Sequence, residues 1–243
     1  MSDRRLSRPL VTAVALALAV ALAGCAATRG RRGEAPQSGF LGNYSQLAKN
    51  PDYPASEIYI DPSAQWSRYN AIQLDSVTLW ASKENVKLSK EDQQMLTDTL
   101  YKALYDELGK TFTLAERPGP DTLRMRVALT QAKGAIVPLR AITTIVPQLR
   151  LVSTVVGLSA DVAVTVGTAT VEMEVRDSIT GQRLAAAVDS RAGNKALFTT
   201  RTFTKWGDVE AADQYWSQRV TWQLARHGVQ RKPGAAMPPE PGA

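Results

Sequence analysis

The chain has one cysteine, Cys25, and one histidine, His227. An internal disulfide is impossible, so stability has to come from buried apolar surface. A catalytic triad or a His-rich metal site needs more than a lone histidine. His227 falls in the last turn of the final predicted helix, where the helix dipole favours a cation. There is no Walker-type glycine–lysine loop, no Gly-rich dinucleotide fingerprint, no Gly-x-Ser-x-Gly elbow and no Asp-rich calcium loop. No catalytic residue, cofactor-binding residue or metal ligand is therefore read from the sequence. Aromatic residues make up 7% of the chain, and no dense basic run carries them interleaved, although the formal charge is +6. Nucleic acid is disfavoured as a partner.

What the sequence does contain begins at its start. Arg4, Arg5 and Arg8 precede an almost uncharged stretch over residues 10–23, rich in Ala, Val and Leu. That stretch is too short for a stable bilayer span and fits a signal h-region. It closes on Leu22-Ala23-Gly24-Cys25. The four residues resemble the lipobox of bacterial lipoproteins, which implies cleavage between Gly24 and Cys25 and acylation of the Cys25 sulfur. Two or three acyl chains anchor a protein firmly, at about 0.8 kcal/mol per buried methylene. Removing 24 residues from 243 leaves 219, enough for one core. The expected organisation is a signal peptide over 1–24, a lipidated tether over 25–39, one domain over 40–228 and a disordered Pro-rich tail over 229–243.

Residues 40–69 read as an extended aromatic arm punctuated by Pro51, Pro54 and Pro62. Residues 71–80 read as one strand that changes its buried face near Ser76. Residues 89–108 form the strongest helix, with Ser89 and Asp92 as a capping box and Gly109 as its stop. A short strand follows over 111–115, then a turn over 118–121. Leu123, Met125, Val127 and Leu129 alternate with polar or small neighbours in a half-buried strand. A strand over 162–175, a turn at 178–182 and a strand over 183–189 come next. A last helix capped by Asp208 runs to His227, with Ala212, Trp216, Val220 and Leu224 as its apolar stripe. This order predicts an α+β, two-layer sandwich: a mainly antiparallel sheet, two main helices and a short apolar helical insertion.

That insertion, residues 135–160, is charged only at Arg140 and Arg150. Pro138 and Pro147 argue against a membrane-spanning helix and suit the first turns of two short helices. Two readings stand: the helices cover the sheet, or they present Ile142, Ile145, Leu149 and Val155 to a partner, a second copy or the membrane. Arg140 and Arg150 would rim such a contact.

Glu172 and Glu174 share one face of a strand, a spacing open to a glycosidase pair. Arg124 and Arg126 on a neighbouring strand offer the alternative of surface ion pairs of little energetic weight. Trp66, Trp80, Trp206, Trp216 and Trp222 could stack on sugars, but such residues are more often core.

The lipobox, Ser38-Gly39-Phe40-Leu41-Gly42-Asn43-Tyr44, Asp177-Ser178-Ile179-Thr180-Gly181, and Trp206-Gly207-Asp208 together resemble an uncharacterised family of Gram-negative lipoproteins, DUF3313. The resemblance implies an envelope location and assigns no site residues. The expectation is a lipid-anchored binding or scaffold module, non-enzymatic and facing the periplasm. A glycan-directed hydrolase or glycan-binding protein is the alternative. Ala26 after the lipidated cysteine is not acidic, which in resembling lipoproteins implies the outer membrane.

Overall fold

The structure is a computed structural model, described here for residues 28–30, 37–50, 53–80, 89–133, 168–193 and 207–241. Nine strands form one sheet: β1 (Thr28–Gly30), β2 (Ala48–Asn50), β3 (Tyr53–Ile60), β4 (Ala71–Leu74), β5 (Thr78–Leu79), β6 (Thr113–Leu114), β7 (Thr122–Lys133), β8 (Thr168–Asp177) and β9 (Arg183–Gly193). Their order is β2-β3-β9-β8-β7-β4-β6, with β1 also on β9 and β5 also on β7. The long β3, β7, β8 and β9 pair antiparallel, whereas β4 and β5 run parallel to β7, and β6 parallel to β4. The sheet is thus mixed and mainly antiparallel, and the α+β class holds.

Two helices cover one face: α1 (Lys90–Thr111) and α2 (Gly207–His227). Ser89 caps α1, its hydroxyl accepting from the Asp92 amide at 3.0 Å. Leu96, Leu100, Leu104 and Leu108 recur every fourth residue and are buried against the inward residues of β7 and β8. Those inward residues alternate as the strand period demands: Leu123, Met125, Val127 and Leu129, then Val171, Met173 and Val175. Losing one such leucine to alanine would cost about 2–5 kcal/mol.

The opposite face is covered by residues 38–47, which bury Phe40 and Leu41 against Ala128, Ala186 and Val188.

Several expectations need correction. The stretch over 40–69 is not an arm throughout. Its second half supplies β3, which pairs with β9 from Ser56 to Ile60, and Pro54 precedes that ladder. The strand over 71–80 divides into β4 and β5. Gly109 does not stop α1, which runs to Thr111 because the Phe112 amide still bonds the Leu108 carbonyl. Within the tether, Thr28–Gly30 pairs with Arg191–Gly193.

Residues 229–241 are not a disordered tail. Val229 is buried, the Gln230 amide donates to the Tyr69 carbonyl at 2.9 Å, and the Lys232 amide donates to the Thr111 carbonyl at 2.9 Å. A prolines-and-glycine composition hid these anchoring contacts. The signal peptide, Gly24, Cys25, Trp206 and the whole insertion, with Arg140, Ile142, Ile145, Leu149, Arg150 and Val155, lie outside the described residues.

Candidate functional site beneath the N-terminal arm

On β8 the even-numbered residues face away from the helices. Glu172 and Glu174 therefore share the second face, as their spacing requires. They are not surface residues: their exposures are 0% and 1%. The cover comes from the arm. The Ser38 amide donates to Glu172 Oε1 at 2.8 Å, and the Tyr44 hydroxyl donates to Glu172 Oε2 at 2.6 Å. The Gly39 amide donates to the Tyr44 oxygen at 2.8 Å. Gly39 and Gly42 have φ of 94° and 71°, so the arm bends where side chains are disfavoured. These contacts give the Ser38–Tyr44 motif a physical basis: glycines turn the chain, and Ser38 and Tyr44 clamp one carboxylate.

Glu174 sits among guanidinium groups. Arg126, its register partner on β7, forms an ion pair with Oε1, while Arg176 and Arg183 reach Oε2 at 2.8 and 3.2 Å. Burial alone would raise the Glu174 pKa. The hydrogen bond and charge of Arg176, with the charges of Arg126 and Arg183, outweigh it and leave the pKa lowered. Arg183 also donates to the Leu41 and Asn43 carbonyls, tying the arm to the same cluster. The Arg126 guanidinium lies 4.9 Å above the Phe40 ring. Arg124 does not join the glutamates; it pairs with Asp75 at 2.8 Å.

A glycosidase acid requires a raised pKa and access to substrate. Glu174 has a lowered pKa and three cationic partners, and both carboxylates lie under the arm. The arrangement suits an ion-pair lock between arm and sheet.

The Asp177–Gly181 motif is a turn lock of the same kind. Asp177 Oδ1 accepts from the Ile179 and Thr180 amides at 3.0 and 2.8 Å, and Gly181 has φ of 72°. Asp177 Oδ2 accepts from the Tyr69 hydroxyl at 2.8 Å; burial, and then this bond to a carboxylate, pushes the Tyr69 pKa up to about 12.

Trp66, Trp216 and Trp222 are buried, and Trp80 is 48% exposed with its ring edge against Phe40 at 5.7 Å. His227 differs from the cation expected in the last turn. Burial, and then Arg226, lowers its pKa, and its ring packs on Trp66 at 5.7 Å. Among the described residues, no His, Cys, Asp and Glu group of three or more is placed to hold a metal ion, and no helix is long and apolar enough to cross a membrane.

Sequence reasoning missed the arm–Glu172 clamp. The glycines flanking Phe40 and Leu41 were its signal. It also missed Asp189, which accepts from the Trp216 indole at 2.6 Å, and Asp213, buried on α2 with neither oxygen bonded among the described residues.

No curated protein sequence matches the chain. Among solved structures, a PelC dodecamer from Paraburkholderia phytofirmans is similar at 10% identity and a TM-score of 0.35, over 65% of this chain and 90% of that one. Protein XCC0632 from Xanthomonas campestris, of DUF330, is similar at 9% identity and a TM-score of 0.37, over 68% and 91%. A DUF4136 family protein from Bacteroides thetaiotaomicron is similar at 12% identity and a TM-score of 0.34, over 76% and 98%. The sequence profile described as "Protein of unknown function (DUF3313)" matches residues 36–220, a span that includes the arm, the glutamates and most of α2. The chain belongs to the DUF3313 family.

Proposed function

We propose that this protein is a lipid-anchored, non-enzymatic accessory module of the Gram-negative envelope, held by Cys25 on the periplasmic face of the outer membrane. In this reading the apolar insertion over 135–160 is a second contact with that membrane. One observation carries it. The register aligns Arg29 with Ala192, Ala192 with Thr168, and Thr168 with Lys133. Four neighbouring strands place β1 and both roots of the insertion at one end of the sheet, within about 15 Å of each other at the usual strand spacing. Cys25 precedes Thr28 by three residues, at most about 11 Å of extended chain. The strand that follows Cys25 and the two strands that bound the insertion therefore end side by side, which supports a shared contact with the membrane. Arg140 and Arg150 fit lipid phosphates at such a contact.

Three measurements test this. Cys25→Ser should abolish incorporation of labelled palmitate; continued labelling overturns the anchor. Density-gradient fractions should hold the mature protein with the outer membrane; recovery with the inner membrane overturns the location. The Cys25→Ser chain should still float with anionic vesicles, and Ile145→Glu or Val155→Glu should reduce flotation without unfolding. Flotation that ignores both substitutions removes the second contact.

A further inference from the structure

β9 carries alanine at two successive inward positions, Ala185 and Ala187. Their register partners are Ile60 and Ile58 on β3, and Val175 and Met173 on β8. α2 crosses above them with Trp216 and Val220. Two methyl groups cannot fill the space below that helix. A cleft of about 120 Å³ remains, with an almost wholly apolar lining. That is several times the volume a single water or methylene needs.

The cleft is elongated. Its floor follows β9 from Ala185 to Asp189, about 13 Å at the usual strand rise. Its helical wall runs from Tyr215 to His227, about 18 Å at the usual helix rise. Asp189 closes the floor and His227 the helical wall, Arg219 and Gln223 lie along that wall between Tyr215 and His227, and the Asp189 and Arg219 charges are already matched. Asp189 accepts from the Trp216 indole at 2.6 Å and from Arg191 Nε at 3.0 Å. Arg219 pairs with Glu240 at 3.0 Å. An ionic ligand would lose its hydration here and meet only charges that already have partners.

We propose that this cleft binds a single alkyl chain of about eight to ten carbons, matched to the length of its floor, with an uncharged, hydrogen-bonding head, such as an alcohol, ester or amide. The proposal stands apart from the membrane reading, since the cleft lies under α2 and owes nothing to Cys25 or the insertion.

The test uses the full chain and the neutral fluorophore N-phenyl-1-naphthylamine, displaced by 1-decanol, by decanoate or by decyltrimethylammonium. Ala187→Phe and Ala185→Leu fill the cleft from its floor. Signal remaining in them measures uptake by other apolar segments. The wild type should show a displaceable component that both variants lose while keeping the wild-type far-UV circular dichroism. Decanol should displace it at a concentration at least about tenfold below either ion, reflecting the cost of burying a charge. A diazirine-bearing decanol should label peptides of α2 or β9 in the wild type, a readout that needs no variant. Equal signal in wild type and folded variants, displacement by an ion as readily as by decanol, or labelling confined to other segments overturns the proposal.

Discussion

Glu174 faces three guanidinium groups and almost no water. Glu174→Gln would leave that positive charge without its counter-ion, and removal of one partner from a buried pair is costly. The partners are partly exposed, so a loss of about 2–3 kcal/mol is expected in urea unfolding, against a few tenths for an exposed pair. A loss of a few tenths would mean that the arm does not seal this face. Asp213 is the contrary case. It is 1% exposed, and burial, with Glu210 nearby, raises its pKa well above 3.8. The folded chain then holds a proton that the unfolded chain has released. Its contribution is fully present below about pH 4 and declines as pH rises toward the folded value. Asp213→Asn should flatten that decline, and urea midpoints from pH 4 to 8 in both proteins check it. Glu174 and Asp177 act with the opposite sign. Their lowered pKa values give stability above about pH 4.5 that is lost on acidification.

The arm over residues 38–44 contributes as an element, through bonds to a charged group. Tyr44→Phe removes one hydrogen bond to Glu172 and leaves the ring in place. It should cost about 1.5–3 kcal/mol and raise hydrogen exchange at the Ser38 and Gly39 amides. Unchanged exchange would mean that the Tyr44 hydroxyl adds nothing to the hold of Ser38 and Arg183 on the arm. At this scale the sequence was legible where a pattern is local. The fourfold leucine spacing of α1 with its Ser89 cap, the alternation of β7 and the turn at Gly181 all stood in contiguous residues. The common face of Glu172 and Glu174 and the Arg126 partnership were legible too, because pleat and register depend on neighbours. Their burial was not, since the cover is Ser38 and Tyr44, well over a hundred residues upstream. β3 was obscured by Pro54, which a strand tolerates outside its ladder. The cleft under α2 was equally hidden. Alanines at 185 and 187 read as ordinary small residues until α2 passes over them.

For the whole molecule, the segment after Gly228 closes the structure on itself. It ties the end of α2 to Tyr69 and to the end of α1, and Glu240 reaches back to Arg219. Ending the chain at Gly228 should cost about 2–4 kcal/mol from the lost Val229 burial and hydrogen bonds, read as a lower urea midpoint. A truncated chain with an unchanged midpoint would restore the disordered tail. The pairing of β1 with β9 has a mechanical consequence. A pull on the chain upstream of Thr28 is directed along the strand, while the bonds joining β1 to β9 run across it. Such a load strains those bonds together in shear instead of peeling them one by one. If Cys25 holds the protein as proposed, load arriving through that anchor would be shared across the β1–β9 bonds, and a tether re-attached where those bonds open one at a time would yield at lower force.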